Sequence, residues 1–203
     1  MSTAQEKLWA GEFGDAYTLR NRGEALVAAR TALWSRALAR CERIESLTEL
    51  GSNLGLNLMA LRRLLPDAAM RGVEINPSAA EELRRNVPGA EVVEGSFLER
   101  RELGTSDLAL TCGVLIHVPP DALPRAYDVL ARVATRYVVV CEYYAPKPVS
   151  LAYRGHENLL FKRDFAGEFM DAHPFRLLDY GFVYHRDPQF PMDDLNWFTL
   201  ERK

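Results

Sequence analysis

An acidic residue followed by two glycines, Glu49, Gly51 and Gly55, is the spacing with the clearest chemical potential in the sequence. Glycine adopts positive φ without strain and, lacking Cβ, lets the backbone approach a bound molecule. A dinucleotide fingerprint would need glycine at position 53 and glycine or alanine at position 56, where the chain has Asn53 and Leu56. The spacing therefore predicts a ligand-binding turn between a strand and a helix, with an ordinary β–α turn as the alternative.

A second carboxylate, Glu74, stands about 25 residues further on, near the end of the segment 70–75, which is predicted to be the second strand. Asn76 and Pro77 after it are typical of a helix N-cap and a first helical residue. Open α/β sheets bind ligands at the carboxyl ends of their strands, and a carboxylate ~20 residues after the glycine turn accepts hydrogen bonds from ribose hydroxyls. Glu74 is thus predicted to bind a ribose, the alternative being a solvated carboxylate.

Basic and aromatic residues are concentrated between positions 145 and 163, where the sequence has little periodicity. Guanidinium groups bind carboxylates and phosphates through two hydrogen bonds, and a loop this long in a compact domain is usually functional. The segment is therefore predicted to bind an anionic substrate, with a solvated basic loop as the alternative. The residues that carry this prediction are Tyr153, Arg154, His156, Lys162 and Arg163.

Short apolar segments alternate with helical stripes over most of the chain, which predicts an α/β fold with a doubly wound, mostly parallel sheet. The run 136–144 is apolar enough for a central strand that is buried on both faces. Two closing apolar runs joined by a turn-rich link predict an antiparallel C-terminal hairpin at the sheet edge. Besides the strand–turn–helix unit 46–65, the predicted strands cover residues 70–75, 91–97, 106–112, 136–144, 177–185 and 195–201.

The length of 203 residues suits one α/β domain over residues 1–203. Residues 1–22 are predicted to form an N-terminal arm or flap, and residues 145–172 a substrate-side loop and helix insertion. The net charge of −3 offers no general attraction for nucleic acid. Three cysteines without a C-x-x-C pair argue against a disulfide framework and against a metal site. Without a leader or an apolar run of ~18 residues, the protein is expected to be cytoplasmic.

Six residues placed in order along four predicted strands resemble the motifs of class I S-adenosylmethionine-dependent methyltransferases: Glu49, Gly51, Gly55, Glu74, Gly95 and Asp107. The resemblance covers residues ~25 to 203 and implies a Rossmann-like, seven-stranded sheet and S-adenosylmethionine as the cofactor. More narrowly, several blocks resemble the pseudaminic acid biosynthesis-associated methylases, a family named for its company in bacterial surface-sugar pathways. These blocks are residues 9–14, 49–57, 113–117, 153–157, 161–168 and 184–188.

The resemblance to this class also implies which residues contact the cofactor. Gly51 and Gly55 would line its methionine part, Glu74 would bind the ribose, and residues 95–97 would flank the adenine. Many members of the class have aspartate where this chain has Ser96, so the contact to the adenine amino group is expected to be weaker or to come from the backbone. The predicted cofactor-binding residues are Glu49, Gly51, Asn53, Gly55, Glu74, Ile75, Gly95, Ser96, Phe97, Cys112 and Gly113.

Methyl transfer to an alcohol or an ammonium also needs a base that removes a proton, which accounts for a rate factor of ~10²–10⁴. His117 is the leading candidate, because in this class the end of the fourth strand lies beside the transferable methyl; a structural histidine is the alternative. His156 and Glu142 are the second and third candidates. Tyr17 in the N-terminal arm is a further candidate for substrate binding.

The sequence thus predicts a methyltransferase for a small anionic metabolite, an acidic or nucleotide-activated sugar in bacterial surface-glycan biosynthesis. The alternatives are an acceptor from secondary metabolism and a non-catalytic cofactor-binding pathway protein. A nucleic-acid methyltransferase is disfavoured, because amino-directed base enzymes carry Asn/Asp-Pro-Pro-aromatic where residues 111–114 are Thr-Cys-Gly-Val. The expected partner is therefore a small molecule and neither nucleic acid nor a membrane, and the expected state is a monomer or a homodimer.

Overall fold

The computed structural model describes residues 3–20, 23–100, 102–153 and 156–203. Within these ranges the strands are β1 (Ser46–Leu50), β2 (Ala69–Glu74), β3 (Glu91–Glu94), β4 (Ser106–Cys112), β5 (Ala134–Glu142), β6 (Val149–Tyr153), β7 (His156–Lys162), β8 (Phe175–Phe182) and β9 (Asn196–Arg202). The helices are α1 (Ala4–Trp9), α2 (Glu12–Arg20), α3 (Glu24–Ala37), α4 (Leu56–Leu64), α5 (Pro77–Asn86), α6 (Leu123–Val133) and α7 (Phe165–Ala172), and a 3₁₀ turn covers Leu115–His117. None of the helices in these ranges combines the length and hydropathy of a membrane span.

Seven of these strands form one sheet in the order β3-β2-β1-β4-β5-β9-β8. Neighbouring strands from β3 to β5 run parallel, whereas β9 is antiparallel to both β5 and β8. The predicted doubly wound, mostly parallel sheet with an antiparallel C-terminal hairpin is therefore confirmed. The strand order reverses between β1 and β4, and this opens a crevice at their carboxyl ends, the usual ligand site of such sheets.

Helices cover both faces of the sheet, which is why β4 and β5 are apolar along most of their length. One face packs against α3, α4 and α5 through fully buried side chains such as Trp34, Leu61 and Leu83. The other face packs against α6 and α7 through Leu130 and Phe169, which are also fully buried. The packed faces hold the strands in place, and the carboxyl edge of the sheet is left for binding.

Residues 3–20 form an N-terminal arm made of α1 and α2. Thr3 begins α1 with a capping box, in which its side chain and that of a glutamate bond each other's backbone N–H. The arm is tied to the carboxyl edge of the sheet by two amides: Asn76 Nδ2 donates to Asp15 Oδ1 at 3.0 Å, and Asn53 Nδ2 donates to Thr18 Oγ1 at 3.3 Å. The arm thus lies over the ends of β1 and β2, and its action as a flap stays a prediction.

Residues 145–163, predicted as a loop, contain the antiparallel pair β6 and β7. Pro146 and Pro148 favoured a loop in the sequence, because proline interrupts regular structure. Both prolines precede β6, so they remove no backbone donor from the strand pair. Leu151 lies opposite Leu160 across the hairpin, and this pairing is invisible until the two strands are aligned.

Candidate functional site

A cavity of about 150 Å³ lies at the carboxyl ends of β1, β2 and β4, beside the N-terminal arm. It is called the cofactor cavity below, and its walls also include residues of α3 and of the segments that follow β3 and β4. Among the residues predicted from the sequence, the cavity is lined by Tyr17, Gly51, Asn53, Glu74, Ile75, Ser96, Phe97, Cys112, Gly113 and His117. The fold therefore brings together side chains as distant in sequence as Tyr17 and His117.

The turn after β1 requires both of its glycines. Gly51 and Gly55 have φ of 77° and 88°, in the left-handed region that glycine adopts most readily. A Cβ at Gly51 would lie 2.6 Å from Val114 Cγ2, and a Cβ at Gly55 would overlap the side chain of Leu83. Gly51 lines the cavity, whereas Gly55 precedes α4 and packs against α5. The first glycine thus gives room at the cavity wall, and the second permits the packing behind it.

Glu74 ends β2 with its carboxylate fixed at the cavity wall. Its Oε2 accepts from the Asn53 backbone N–H at 2.6 Å, and its Oε1 accepts from the Asn76 backbone N–H at 2.8 Å. Burial raises the pKa of Glu74, and the backbone hydrogen bonds oppose this rise. Asn53 donates from a turn with φ of 47°, a conformation that asparagine tolerates. The predicted ribose-binding carboxylate is thus oriented by the backbone before any ligand arrives.

Glu49 is fully buried near the end of β1. Its Oε1 accepts from Asn57 Nδ2 at 2.6 Å, and Asn57 Oδ1 in turn accepts from Trp34 Nε1 at 3.1 Å. Burial raises the pKa of Glu49 to about 8, and the hydrogen bond from Asn57 and the charge of Arg30 oppose the rise. Its Oε2 has no hydrogen-bond partner within the described residues. Glu49 therefore offers one buried acceptor atom that the surrounding side chains leave unused.

Arg30 in α3 lines the same cavity, and the sequence analysis did not predict it. Its Nη1 donates to the Leu26 carbonyl at 3.3 Å, whereas its buried Nε has no partner in the part of the chain that the structure describes. The available signal was a cation on the apolar stripe of the predicted helix, between Val27 and Leu33. A buried donor without a partner is costly, so the Nε of Arg30 indicates a site that an acceptor on a ligand completes.

His117 is the last residue of the 3₁₀ turn after β4 and lines the cavity. Its Nδ1 lies 2.8 Å from the Leu159 carbonyl oxygen, and because a carbonyl only accepts, Nδ1 carries the proton. Burial lowers the pKa of His117 to about 4, so the ring is neutral and Nε2 holds a lone pair at neutral pH. The Trp9 ring lies beside it, with 4.7 Å between the ring centroids. This tautomer is the one that a general base at Nε2 requires.

Glu142 at the end of β5 holds the turn that carries His117. The Val114 and Leu115 N–H groups donate to its Oε1 at 3.0 and 3.1 Å, and the Ile116 N–H donates to its Oε2 at 3.4 Å. Burial raises the pKa of Glu142 to about 7, against the effect of these hydrogen bonds. The structure therefore gives Glu142 a positioning role, and its predicted part in proton transfer stays a prediction.

Residues 95–97 after β3, which are predicted to flank the adenine, contact the N-terminal arm. Ser96 Oγ donates to the carboxylate of Glu6 and accepts from the Leu98 backbone N–H at 3.1 Å. Gly95, with φ of 126°, turns the chain out of β3 into this segment. The arm thus brings an acidic side chain next to Ser96, where many class I members carry an aspartate in the segment itself.

The predicted substrate-binding residues are only partly brought together. Lys162 ends β7 with its Nζ 4.7 Å from the centroid of the Tyr143 ring, at the wall of a second cavity. Arg163 pairs instead with Glu168, with 2.7 Å between Nε and Oε1. Other predicted residues lie outside the described residues, wholly or by their side chains: Arg154, Tyr153 and His156. The anion-binding role of this segment therefore stays a prediction that depends mainly on Lys162.

No model of a known protein family matches this sequence, and no curated protein matches it significantly. Solved structures do match. The magnesium protoporphyrin IX methyltransferase from Synechocystis PCC 6803, with bound S-adenosylmethionine, is similar over 100% of this chain and 99% of its own, with 15% identity and a TM-score of 0.69. CalS10, an amino pentose methyltransferase from Micromonospora echinaspora, is similar over 95% and 97%, with 12% identity and a TM-score of 0.65. DesVI from Streptomyces venezuelae is similar over 93% and 98%, with 14% identity and a TM-score of 0.65.

The fold is that of the class I S-adenosylmethionine-dependent methyltransferases. The likeness extends over nearly the whole of each of these chains, including the Synechocystis enzyme with its bound cofactor. At 12–15% identity the likeness concerns the fold, so the roles of individual residues depend on the geometry of the cofactor cavity. The cavity lies where the strand order reverses between β1 and β4, in agreement with the crevice rule for doubly wound sheets.

Proposed function

We propose that this protein is a S-adenosylmethionine-dependent methyltransferase that acts on a small-molecule acceptor. The observation that carries the proposal is a set of ionisable groups at the cofactor cavity: Glu74 and Arg30 line it, and the charge of Arg30 acts on the buried Glu49. Two solved structures of the same fold that hold S-adenosylmethionine support it.

These groups fit the polar ends of S-adenosylmethionine. Glu49 Oε2 would accept a hydrogen bond from the α-ammonium and Arg30 Nε would donate one to the α-carboxylate, which gives a partner to each of these buried atoms. The Glu74 carboxylate accepts backbone N–H groups and has further lone pairs for the ribose hydroxyls. Gly51 allows Val114 to pack against the turn at the cavity wall, where a Cβ would lie 2.6 Å from Val114 Cγ2.

When bound, S-adenosylmethionine supplies a methyl group on a positively charged sulfur. This chain has to align the acceptor with that methyl, and positioning alone contributes on the order of 7–11 kcal/mol to such a reaction. Glu6 and Trp9 of the arm line the cavity and would keep water from it. His117 would accept the proton of an acceptor hydroxyl or ammonium at Nε2, while Leu159 holds the ring through Nδ1.

We further propose that the acceptor is an acidic or nucleotide-activated sugar, as the narrower sequence resemblance implies. CalS10, an amino pentose methyltransferase, supports a sugar acceptor on this fold. Lys162 could pair with an acidic group on the acceptor, but Asp193 and Asp194 line the same cavity, and Arg163 is engaged by its ion pair with Glu168. Another small-molecule acceptor is the alternative, and transfer of labelled methyl from S-adenosylmethionine to a panel of acidic, neutral and nucleotide sugars distinguishes the two.

Calorimetric titration of S-adenosylmethionine into Glu74→Ala tests the cofactor assignment. Loss of the charge-assisted hydrogen bonds to the ribose should cost roughly 1.5–3 kcal/mol, or about tenfold to a hundredfold in affinity. Glu94→Ala is the matched control, because Glu94 lies opposite Glu74 on β3 and its carboxylate pairs with Arg84 on the surface. Wild-type affinity in Glu74→Ala would contradict the assignment, and tighter binding of a nicotinamide dinucleotide would contradict the whole proposal.

A further inference from the structure

A second cavity of about 370 Å³ opens between the β6–β7 hairpin and the loop of residues 183–195 that joins β8 to β9. It is called the sugar cleft below. Its polar lining consists of Lys162, His185, Asp193 and Asp194, and Leu160 contributes an apolar wall. Apart from Lys162, these residues were not predicted from the sequence as site residues.

The sugar cleft lies at the same edge of the sheet as the cofactor cavity. Cys112, which lines the cofactor cavity, is in register with Cys141, and the next residue, Glu142, is in register with Asn196 at the start of β9. Because adjacent strands are about 4.8 Å apart, the loop that joins β8 to β9 ends about 10 Å from the end of β4. An acceptor of sugar size can therefore reach from the cleft toward the cofactor cavity.

Strand β7 lines the sugar cleft through Leu160 and Lys162 and also contacts His117 of the cofactor cavity. The Leu159 carbonyl accepts the hydrogen bond from His117, which lines the cofactor cavity, while the next residue, Leu160, lines the sugar cleft. A molecule bound in the cleft therefore lies beside the strand that orients the candidate base. This arrangement suits an acceptor whose reacting end and recognised end are different parts of the molecule.

His185 and Asp194 form a hydrogen-bonded pair in the cleft. His185 Nδ1 lies 2.8 and 2.9 Å from the two Asp194 oxygens, and the His185 backbone N–H donates to Oδ1 at 3.0 Å. The carboxylate fixes the ring, and because it accepts from Nδ1, the other ring nitrogen of the neutral form is an acceptor. Both side chains are about half exposed, at 51% and 45%, so a ligand can replace water beside them.

The charges of the cleft favour hydroxyl groups over a polyanion. Asp193 and Asp194 are acceptors, and Lys162 supplies three donors from an ammonium that the Tyr143 ring holds by a cation–π contact. One cation facing two carboxylates gives no excess of positive charge. An array of neighbouring donors and acceptors around an apolar wall matches a ring that carries several hydroxyls.

We propose that the sugar cleft is the acceptor subsite of this methyltransferase and that it binds a polyhydroxylated sugar ring through His185, Asp194 and Lys162. The inference rests on the proposed function and adds the residues that recognise the acceptor. His185 and Asp194 act in recognition, so their loss raises the Michaelis constant for the acceptor, whereas loss of His117 lowers turnover.

Saturation-transfer NMR with a panel of sugars tests the cleft on the full-length protein, in the presence of S-adenosylhomocysteine. The panel consists of a neutral hexose, an amino hexose, a uronic acid and a nucleoside diphosphate hexose. The variants are His185→Phe and Asp194→Asn. The matched control is Asp187→Asn, which changes another carboxylate of the same loop, one that accepts from the Gln189 and Phe190 backbone and does not line the cleft.

We expect at least one sugar of the panel to bind wild type and Asp187→Asn alike and to bind the other two variants at least tenfold more weakly. Calorimetry should give the same S-adenosylmethionine affinity for all four proteins, and thermal unfolding should confirm that each is folded. A sugar that binds all four proteins equally, or a panel without any binding sugar, overturns the cleft assignment. Failure of wild type to bind S-adenosylmethionine instead contradicts the proposed function, so the two failures are distinguishable.

Discussion

The cofactor cavity and the sugar cleft share one edge of the sheet, but their carboxylates are held in opposite ways. Glu49 and Glu142 are buried, and burial raises their pKa values to about 8 and about 7. Asp194 in the sugar cleft is exposed, and hydrogen bonds from His185 lower its pKa. The difference arises because burial removes the water that stabilises a carboxylate, whereas Asp194 keeps its water and also accepts from the His185 backbone N–H and ring.

The carboxylates of the two cavities therefore differ in what they do for their site. On the cofactor side, carboxylates accept from the backbone of turns, so they fix the shape of the cavity before a ligand binds. On the cleft side, the carboxylates stand in a surface loop and can exchange water for a ligand hydroxyl at little structural cost. We therefore expect mutations on the cofactor side to change stability or chemistry, and mutations on the cleft side to change recognition.

The largest effect is expected for His117→Ala on turnover. Loss of a general base should lower the rate of methyl transfer by ~10²–10⁴-fold while S-adenosylmethionine affinity stays nearly unchanged. The deficit should shrink at high pH, where the acceptor loses its proton without help. The wild-type rate should not drop as the pH falls through 6.5, the ordinary pKa of histidine, because burial lowers the pKa of His117 to about 4.

Single-turnover assays with labelled cofactor across pH 5–10 measure this, and calorimetry measures the cofactor affinity. His185→Phe is the comparison from the cleft side and should raise the Michaelis constant with little change in turnover. If His117→Ala is merely less stable and its folded fraction turns over normally, the histidine is structural and the base lies elsewhere.

A large loss of stability is expected for Glu142→Ala. The change leaves three backbone N–H groups of the turn at residues 114–116 without their acceptor and opens a void, so the free energy of unfolding should fall by about 3–5 kcal/mol. Asp194→Ala is the comparison from the exposed side and should leave the urea midpoint almost unchanged. Equal shifts of the two midpoints would contradict the contrast between the two cavities.

The pH dependence of the stability of Glu142→Gln gives a second test of the buried carboxylate. Because the folded-state pKa of Glu142 is raised from 4.5 to about 7, its contribution to stability is complete below pH 4.5 and is lost as the pH rises through 7. The glutamine variant lacks this titration. Its stability relative to wild type should therefore increase between pH 4.5 and 7, as measured by urea unfolding at several pH values.

A smaller effect is expected for Glu49→Gln on cofactor affinity. Burial raises the pKa of Glu49 to about 8, so the carboxyl is mostly protonated at pH 7 and has to ionise to attract the α-ammonium of S-adenosylmethionine. Wild-type affinity should rise by up to about tenfold per pH unit from pH 6 to 8 and then level off. The variant should show a flatter profile, and its affinity should differ least from wild type at low pH.

Calorimetry in two buffers of different ionisation enthalpy checks the same point, because wild type should release a proton on binding and Glu49→Gln should not. The charges of Arg30 and Glu74 both affect the pKa of Glu49. The pH dependence of cofactor affinity in Glu49→Gln is therefore compared with that of Arg30→Lys, which keeps the positive charge but loses the planar donor. A flat wild-type profile would show that Glu49 does not meet the cationic end of the cofactor.

Local sequence patterns determined much of the fold and the backbone of the cofactor cavity. Gly51 and Gly55 were predictable because only glycine fits their positive φ and their close neighbours. Glu74 was predictable because a carboxylate after an apolar run, followed by Asn76 and Pro77, marks the end of a strand and the start of a helix. The sheet with its closing hairpin followed from the same alternation of apolar segments.

Tertiary structure alone decided which distant residues meet. The charge of Arg30 acts on Glu49 because α3 packs on a face of the sheet that contains β1, and Glu142 reaches the turn after β4 because β5 is the neighbour of β4. Periodicity in a sequence specifies which face of an element is buried, but it carries no information on which elements become neighbours. His185 and Asp194 were invisible for the same reason, since a surface loop has no periodicity and only its folding across the cleft brings the two side chains together.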